Sequence, residues 1–268
     1  MNTKFFTSRI AAFSAALLLS TGIAQAGDLF NRGGSLKDAP ATHSERPELS
    51  ANVAITSDYI FRGISQTEEG LAIQGGFDAS YKMFYAGVWA SNLDFGSDGN
   101  GNDVANVEID IYAGLKHKWR NTEFDLGVIY YAYPGAEDAS GELDYVELKF
   151  ASSTELTDRI TFNSSTYWSP DYTGETGDVI TSEWQVAIAL GEYRGLKPTF
   201  SALIGYVDFL DDAFEGDSYT YWNAGVEIGL NDKFTLDLRY WDTDIADDNP
   251  TNGDNADARF VGTVSASF

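Results

Sequence analysis

The sequence predicts an all-β fold: a transmembrane up-and-down antiparallel β-barrel of about twelve strands. Three observations carry this. From residue 49 onward, apolar and polar residues alternate with period two in one segment after another, as strands with unlike faces do. The alternating runs reach about ten residues, near the length a tilted membrane strand needs and beyond the usual five or six of soluble strands. The connections also sort by charge. Loops at 65–71, 96–103, 134–144, 169–178, 208–217 and 242–257 carry acids and no Lys or Arg, whereas the intervening connections at 82–84, 116–122, 155–159, 191–197 and 231–233 are short and each hold a base. Up-and-down strands put alternate loops on opposite ends, and long loops at one end with tight turns at the other are the pattern of an outer-membrane barrel.

The chain divides into three parts. Lys4 and Arg9 precede an apolar run over 10–19, and Ala24, Gln25 and Ala26 fit a small-residue cleavage site, so residues 1–26 read as a secretory signal peptide. Residues 27–48, with Gly33, Gly34, Pro40 and Pro47 and little periodicity, read as a flexible periplasmic lead-in or a plug. Residues 49–268 form the barrel. No later stretch approaches the roughly 18 apolar residues of a helical span.

The strands follow in order. Val53, Ile55, Tyr59 and Phe61 oppose Asn52, Thr56, Asp58 and Arg62, which predicts a first strand running through Arg62. Ile73, Phe77 and Tyr81 alternate with Gln74, Asp78 and Lys82; Val107, Ile109, Ile111 and Leu115 with Glu108, Asp110, Tyr112 and Lys116; Phe124, Leu126, Val128 and Tyr130 with Asp125, Gly127 and Tyr131. Further on, Ile180, Trp184, Val186, Ile188 and Leu190 oppose Thr181, Glu183 and Gln185; Trp222, Val226 and Ile228 oppose Tyr221, Asn223 and Glu227; Phe234, Leu236, Leu238 and Tyr240 oppose Asp237 and Arg239. Weaker runs cover 85–95, 145–154, 160–168 and 199–207. In the last strand Phe260, Gly262, Val264, Ala266 and Phe268 alternate with Val261, Thr263, Ser265 and Ser267. A final strand ending on an aromatic residue resembles the signal read by the barrel assembly machinery of bacterial outer membranes, which makes Phe268 its expected contact. An even strand count returns both termini to one side, as the loop sorting requires.

Composition narrows the function classes. A net charge of −24 excludes a nucleic-acid surface, which needs a basic patch. The absence of cysteine excludes disulfide frameworks and thiolate metal sites. Aromatic residues at 14 %, with six Trp, suit the girdles that Trp and Tyr form at membrane interfaces.

The run Ser50, Ala51, Asn52, Val53 and Ala54, continued by Ser57 through Thr67 (Ser-Asp-Tyr-Ile-Phe-Arg-Gly-Ile-Ser-Gln-Thr), resembles the opening signature of the TorF-type porins of proteobacteria. Residues 73–78 and 85–95 are similar to that family's continuation, and Glu108, Ile109, Asp110, Tyr112, Ala113 and Gly114 to its next strand. The resemblance implies an outer-membrane barrel acting as a channel and says little about the solute. The alternation and charge sorting point to passage of small hydrophilic solutes across the outer membrane of a Gram-negative bacterium, with the apolar face on outer-membrane lipid.

In such a barrel the polar face lines the lumen. The alternation then places Asp58, Asp78, Glu108, Asp110, Asp125, Glu147, Glu183, Glu227 and Asp237 inward, against the bases Arg62, Lys149, Arg239 and Arg259. Carboxylate-rich pores favour cations, and an acidic mouth concentrates them further. The alternative is that these charges pair across strands and fill a closed barrel, since twelve strands lie between the side-chain-filled eight and the open sixteen. A non-conducting structural or surface-recognition barrel with divalent-ion-binding acidic loops, and a secreted β-sandwich binding module, are the other readings.

Catalysis has little to work with. Barrel hydrolases rely on a histidine base beside a nucleophile, and the chain holds only His43, in the lead-in, and His117, read as part of a short basic turn. No catalytic residue and no cofactor are expected. Asp98, Asn100, Asn102 and Asp103 place oxygens as a calcium loop begins, but the closing glutamate is missing. The run from Asp247 through Asp257 is similarly oxygen-rich, and no defined metal site is expected in either.

Overall fold

The computed structural model describes residues 46–97, 103–136, 142–211, 218–246 and 254–268. The signal peptide, nearly all of the lead-in, His43, residues 98–102 and residues 247–253 lie outside the described residues.

The strands are β1 (Glu48–Thr56), β2 (Ile60–Phe61), β3 (Ile64–Ser65), β4 (Ala72–Tyr81), β5 (Phe84–Asn92), β6 (Val107–Trp119), β7 (Thr122–Ala132), β8 (Tyr145–Thr157), β9 (Ile160–Ser169), β10 (Val179–Ala189), β11 (Lys197–Phe209), β12 (Tyr219–Gly229), β13 (Phe234–Thr243) and β14 (Arg259–Ser267). Twelve of them close into one antiparallel barrel, in the order β1-β14-β13-β12-β11-β10-β9-β8-β7-β6-β5-β4. The two short strands β2 and β3 form a separate hairpin between β1 and β4. Neighbours in the barrel are neighbours in sequence, apart from the seam where β1 meets β14 with Asn52 opposite Ser267 and Thr56 opposite Thr263. Phe268 completes that seam by exchanging backbone hydrogen bonds with Ala51 at 2.9 and 3.1 Å.

The local chemistry explains the elements. Alternation gives each strand an apolar outer face: Ile73, Phe77, Ile111, Leu126, Phe150, Leu238 and Val264 stand exposed around the wall. Those positions would be an error in a water-facing sheet. At the end that carries the termini, hairpins are tight. Lys82 and Arg120 take left-handed backbone at φ 56° and 57°, as the shortest hairpin turns demand.

Three expectations are corrected. The first strand does not run through Arg62: it ends at Thr56, and the chain turns at Ser57 and Asp58 into the barrel. Tyr59 and Phe61, expected on the outer apolar face, are 4 % and 5 % exposed inside it. The loop at 65–71 is likewise no simple surface loop, because Ser65, Gln66 and Thr67 are buried. Period-two alternation continues through the turn by coincidence, so it masked the change of direction. His117 lies within β6 and not in a turn, since the β6–β7 hairpin closes only at Arg120 and Asn121.

Inside, the half of the barrel remote from the termini holds a packed apolar core. Phe61 and Ile64 of the inward segment meet Leu93, Phe95, Ile129, Tyr131, Tyr145, Tyr172, Val207, Phe209 and Tyr221 from the surrounding wall. Tyr131 and Tyr145 stack at 4.3 Å, and Tyr172 meets Tyr145 edge-on at 4.9 Å. Inward tyrosines lie flat because the residue directly across the strand pair is glycine: Tyr112 over Gly87, Tyr85 over Gly114, Tyr221 over Gly205. A Cβ on Gly87 or Gly205 would overlap the ring it faces. Gly205→Ala should therefore destabilise the barrel by about 1–3 kcal/mol, the range for overpacking, and lower its unfolding midpoint in detergent. An unchanged midpoint would mean that the tyrosine has room to move aside.

Candidate functional site

The interior begins with the segment between β1 and β4. Asp58 accepts from Ser65 Oγ at 2.7 Å and Thr67 Oγ1 at 2.9 Å, which ties the segment into a compact turn. It also receives Arg259 of β14 at 3.0 Å. Arg259 in turn donates to the carbonyls of Asp254 and Asp257, so one arginine binds the segment's base to the 3₁₀ turn at Asp254–Ala256.

The segment's tip is Arg62 and Gly63, with φ of 45° and 86°. Gly63 lies so close to Tyr221 and Thr243 that a Cβ would collide with both. Arg62 crosses to the opposite wall. Its guanidinium meets both carboxylate oxygens of Glu147, at 2.9 and 3.0 Å, and donates to Tyr172 Oη at 3.3 Å. It also lies 4.5 Å from the Phe61 ring centre and 5.2 Å from that of Tyr167. Tyr131 donates to the same Glu147 at 3.0 Å. Arg62 and Glu147 are 4 % and 1 % exposed, so this is a fully desolvated bidentate pair. The free space left at this level is a cavity of about 30 Å³ bounded by Ile60, Phe61, Arg62, Tyr131, Glu183, Tyr221 and their neighbours, room on the scale of one water. Phe61, Arg62, Tyr131, Tyr167 and Tyr221 around it are all buried.

The remaining inward residues fall around and below this level. Lys149 meets Asp125 at 2.7 Å, and Tyr85 donates to the same carboxylate at 2.8 Å. Arg239 pairs with Asp237 at 2.8 Å and donates to Asn223 and Ser201. Asp78 accepts from Tyr112, Glu183 from Tyr221, and Glu108 from Tyr59 at 2.8 Å. Glu227 sits across from Asp237 on the wall of β12. Asp110 is fully buried, flanked across the sheet by Trp89 and Tyr131.

Every base expected in the lumen is thus paired with an inward carboxylate: Arg62 with Glu147, Lys149 with Asp125, Arg239 with Asp237, Arg259 with Asp58. Asp78, Glu108, Asp110 and Glu183 meet no Lys or Arg at ion-pair distance among the described residues. Sequence reasoning missed the tyrosines. Tyr59, Tyr85, Tyr112, Tyr131 and Tyr221 all donate to interior carboxylates, and the signal was present: Tyr112, Tyr131 and Tyr221 fall on the polar parity of their strands. Burial pushes the Tyr133 hydroxyl, just past the end of β7 and near Glu108, well above the usual tyrosine range, which keeps it neutral.

The chain belongs to the Gcw_chp family, described as bacterial proteins of unknown function, whose family model matches residues 40–268. That match shows the Gcw_chp family and does not itself carry the TorF-type name suggested by the first strands. No curated protein matches the sequence. Among solved structures the chain is similar to the KdgM porin in complex with disordered oligogalacturonate, at 7 % identity and TM-score 0.54, covering 83 % of this chain and 99 % of that one. It is also similar to the COG4313 outer membrane channel from Pseudomonas putida F1, at 12 % identity and TM-score 0.52, covering 85 % and 98 %. At these identities the likeness is one of fold.

Glu147→Gln keeps the shape of the Arg62 partner and removes its charge. A buried charge deprived of its partner costs about 3–5 kcal/mol, so amide exchange across residues 57–71 should quicken by about two orders of magnitude or more. Exchange at the wild-type rate would show that the pair does not hold the segment.

Proposed function

We propose that this member of the Gcw_chp family is an outer-membrane channel for small hydrophilic solutes with a preference for cations, held shut in the conformation described by the segment over 57–71. The carrying observation is the inverted distribution of polarity. Large apolar side chains stand exposed on the outside, while charged pairs and carboxylates occupy the inside. Hydrocarbon is the solvent that stabilises such an exterior, and a polar interior is what a hydrated path requires. The excess of inward carboxylates supports the cation preference. The porin and channel neighbours in fold and the TorF-type likeness of the first strands support an outer-membrane location.

A second reading is favoured by one observation, the filled interior. A barrel closed to about 30 Å³ at the level of Arg62 could serve as a structural or recognition module without flux. Planar-bilayer recording separates the two. Wild-type protein should give rare, small, cation-selective steps, and Arg62→Ala should raise open time and conductance by freeing the segment. Silence in both proteins, after folding is verified by heat-modifiable mobility, would favour the second reading. Anion selectivity would refute the cation preference.

The lipid contact has its own test. Leu126 is exposed on the outer face near the middle of β7. Leu126→Arg should cost about 2–4 kcal/mol, as charges on the lipid face at mid-membrane do, measured by reversible denaturant unfolding in bilayers. A cost near zero would mean that no hydrocarbon covers this face.

A further inference from the structure

Glu108 and Asp110 sit two residues apart on β6, on the same inward face, and both are 0 % exposed. The Glu108 Oε1 atom accepts from Tyr59, but Oε2 has no partner, and neither oxygen of Asp110 has one. Tyr133 places its hydroxyl beside Glu108 without reaching hydrogen-bond geometry. The charges that bear on Asp110 are Glu108 and Glu147, both carboxylates, and the arginine of this region is committed to Glu147. Three buried carboxylate oxygens and a buried hydroxyl therefore share one part of the interior with no compensating base among the described residues.

Such a group cannot persist alone in a dry interior, where an uncompensated ion costs many kcal/mol. The Trp89 indole N–H, itself without a partner and across the sheet from Asp110, could rotate onto one carboxylate oxygen. That would satisfy one atom and leave both negative charges. Protonation is the competing way to remove the charge, and the infrared arm of the test below separates it from a bound cation. A small hard cation supplies the missing charge and coordinates carboxylate and hydroxyl oxygens together.

We infer that Glu108 and Asp110, with the Tyr133 hydroxyl, form a binding site for a hard cation inside the closed barrel, with a divalent ion as the charge match for two uncompensated carboxylates. No three Asp, Glu or His side chains converge on a common point among the described residues, so the ion keeps part of its coordination in neutral oxygens and water. The site names the ion class for the cation preference proposed above and rests on that reading for its biological use; its existence stands on binding alone.

Terbium(III) is the probe, because it is a hard ion whose emission is sensitised by nearby Tyr and Trp, here Tyr59, Trp89 and Tyr133. Full-length mature protein is refolded in detergent with the ion present, then excited through its aromatic side chains. The expected result is saturable emission, displaced by calcium, and reduced at least tenfold in a Glu108→Gln/Asp110→Asn variant that keeps its heat-modifiable mobility. Should the double variant fail to fold, Glu108→Gln alone should weaken terbium binding at least tenfold. Calcium should also raise the wild-type unfolding temperature, as a ligand that binds only the folded state does, and leave the variant unmoved. Equal emission from wild type and variants assigns the ion to the acidic loops and overturns the inference. So does an unfolding temperature indifferent to calcium and chelator together with a protonated-carboxyl infrared band lost in Asp110→Asn. Conductance is read on the same samples: binding without conductance retains the site and removes the channel, and conductance without binding does the reverse.

Discussion

Closure of the sheet is the constraint on which the rest depends. An unpaired strand edge leaves a row of backbone donors and acceptors open, and β1 and β14 close it by pairing from opposite ends of the sheet's chain order. They do so from Asn52 opposite Ser267 to Thr56 opposite Thr263, with Ala51 and Phe268 locking the end of the seam. Once twelve strands close, the interior is wider than side chains from opposite walls can fill, since eight strands mark that limit. The segment after β1 supplies the missing volume. Its tip takes left-handed backbone at Arg62, a non-glycine residue, which costs of order 1–3 kcal/mol. The bidentate contact of that same arginine with Glu147 offsets the strain.

A filled interior sets an electrostatic condition as well. Charges brought inside lose their hydration and must be matched atom by atom. Four ion pairs do this for the bases, and tyrosine hydroxyls do it for carboxylates that have no base. Tyrosine suits this role because it fills volume, its ring packs with its neighbours, and its hydroxyl donates one strong hydrogen bond to a carboxylate. The three glycines opposite Tyr85, Tyr112 and Tyr221 belong to the same arrangement, because a ring can lie against the wall only where the wall has no side chain. The matching is incomplete at Glu108, where one buried oxygen accepts from Tyr59 and the other has no partner, and absent at Asp110.

The barrel was legible because its cause is periodic. Alternation marks a strand whatever covers its faces, and charge sorting of the loops follows from chain direction alone, so Glu108, Asp110, Asp125 and Glu183 could be placed inward from parity. The inward segment was not legible. Ser57 through Arg62 keeps the alternation of a strand while the backbone turns, and nothing in that pattern distinguishes an outward Phe61 from one folded into a lumen. Long-range pairing was equally hidden. Arg62 and Glu147, or Arg259 and Asp58, are remote in sequence and meet only because the wall is a closed circle. Tyrosines on polar parity were visible as residues, yet a composition rich in aromatics points first to interfacial girdles, and that association obscured their inward use.

The two halves of the interior are unlike, and the difference bears on how the closure can yield. Toward the termini, Asp237 and Arg239 keep 20 % and 15 % side-chain exposure, so water reaches the wall. At the level of Arg62 it does not. Separating Arg62 from Glu147 by a small distance would leave two opposite charges in a dry, weakly screening medium, where their attraction is strongest. Separating them far enough to admit water relieves most of that cost, because each charge is then hydrated. Intermediate separations of the pair are therefore the least favourable.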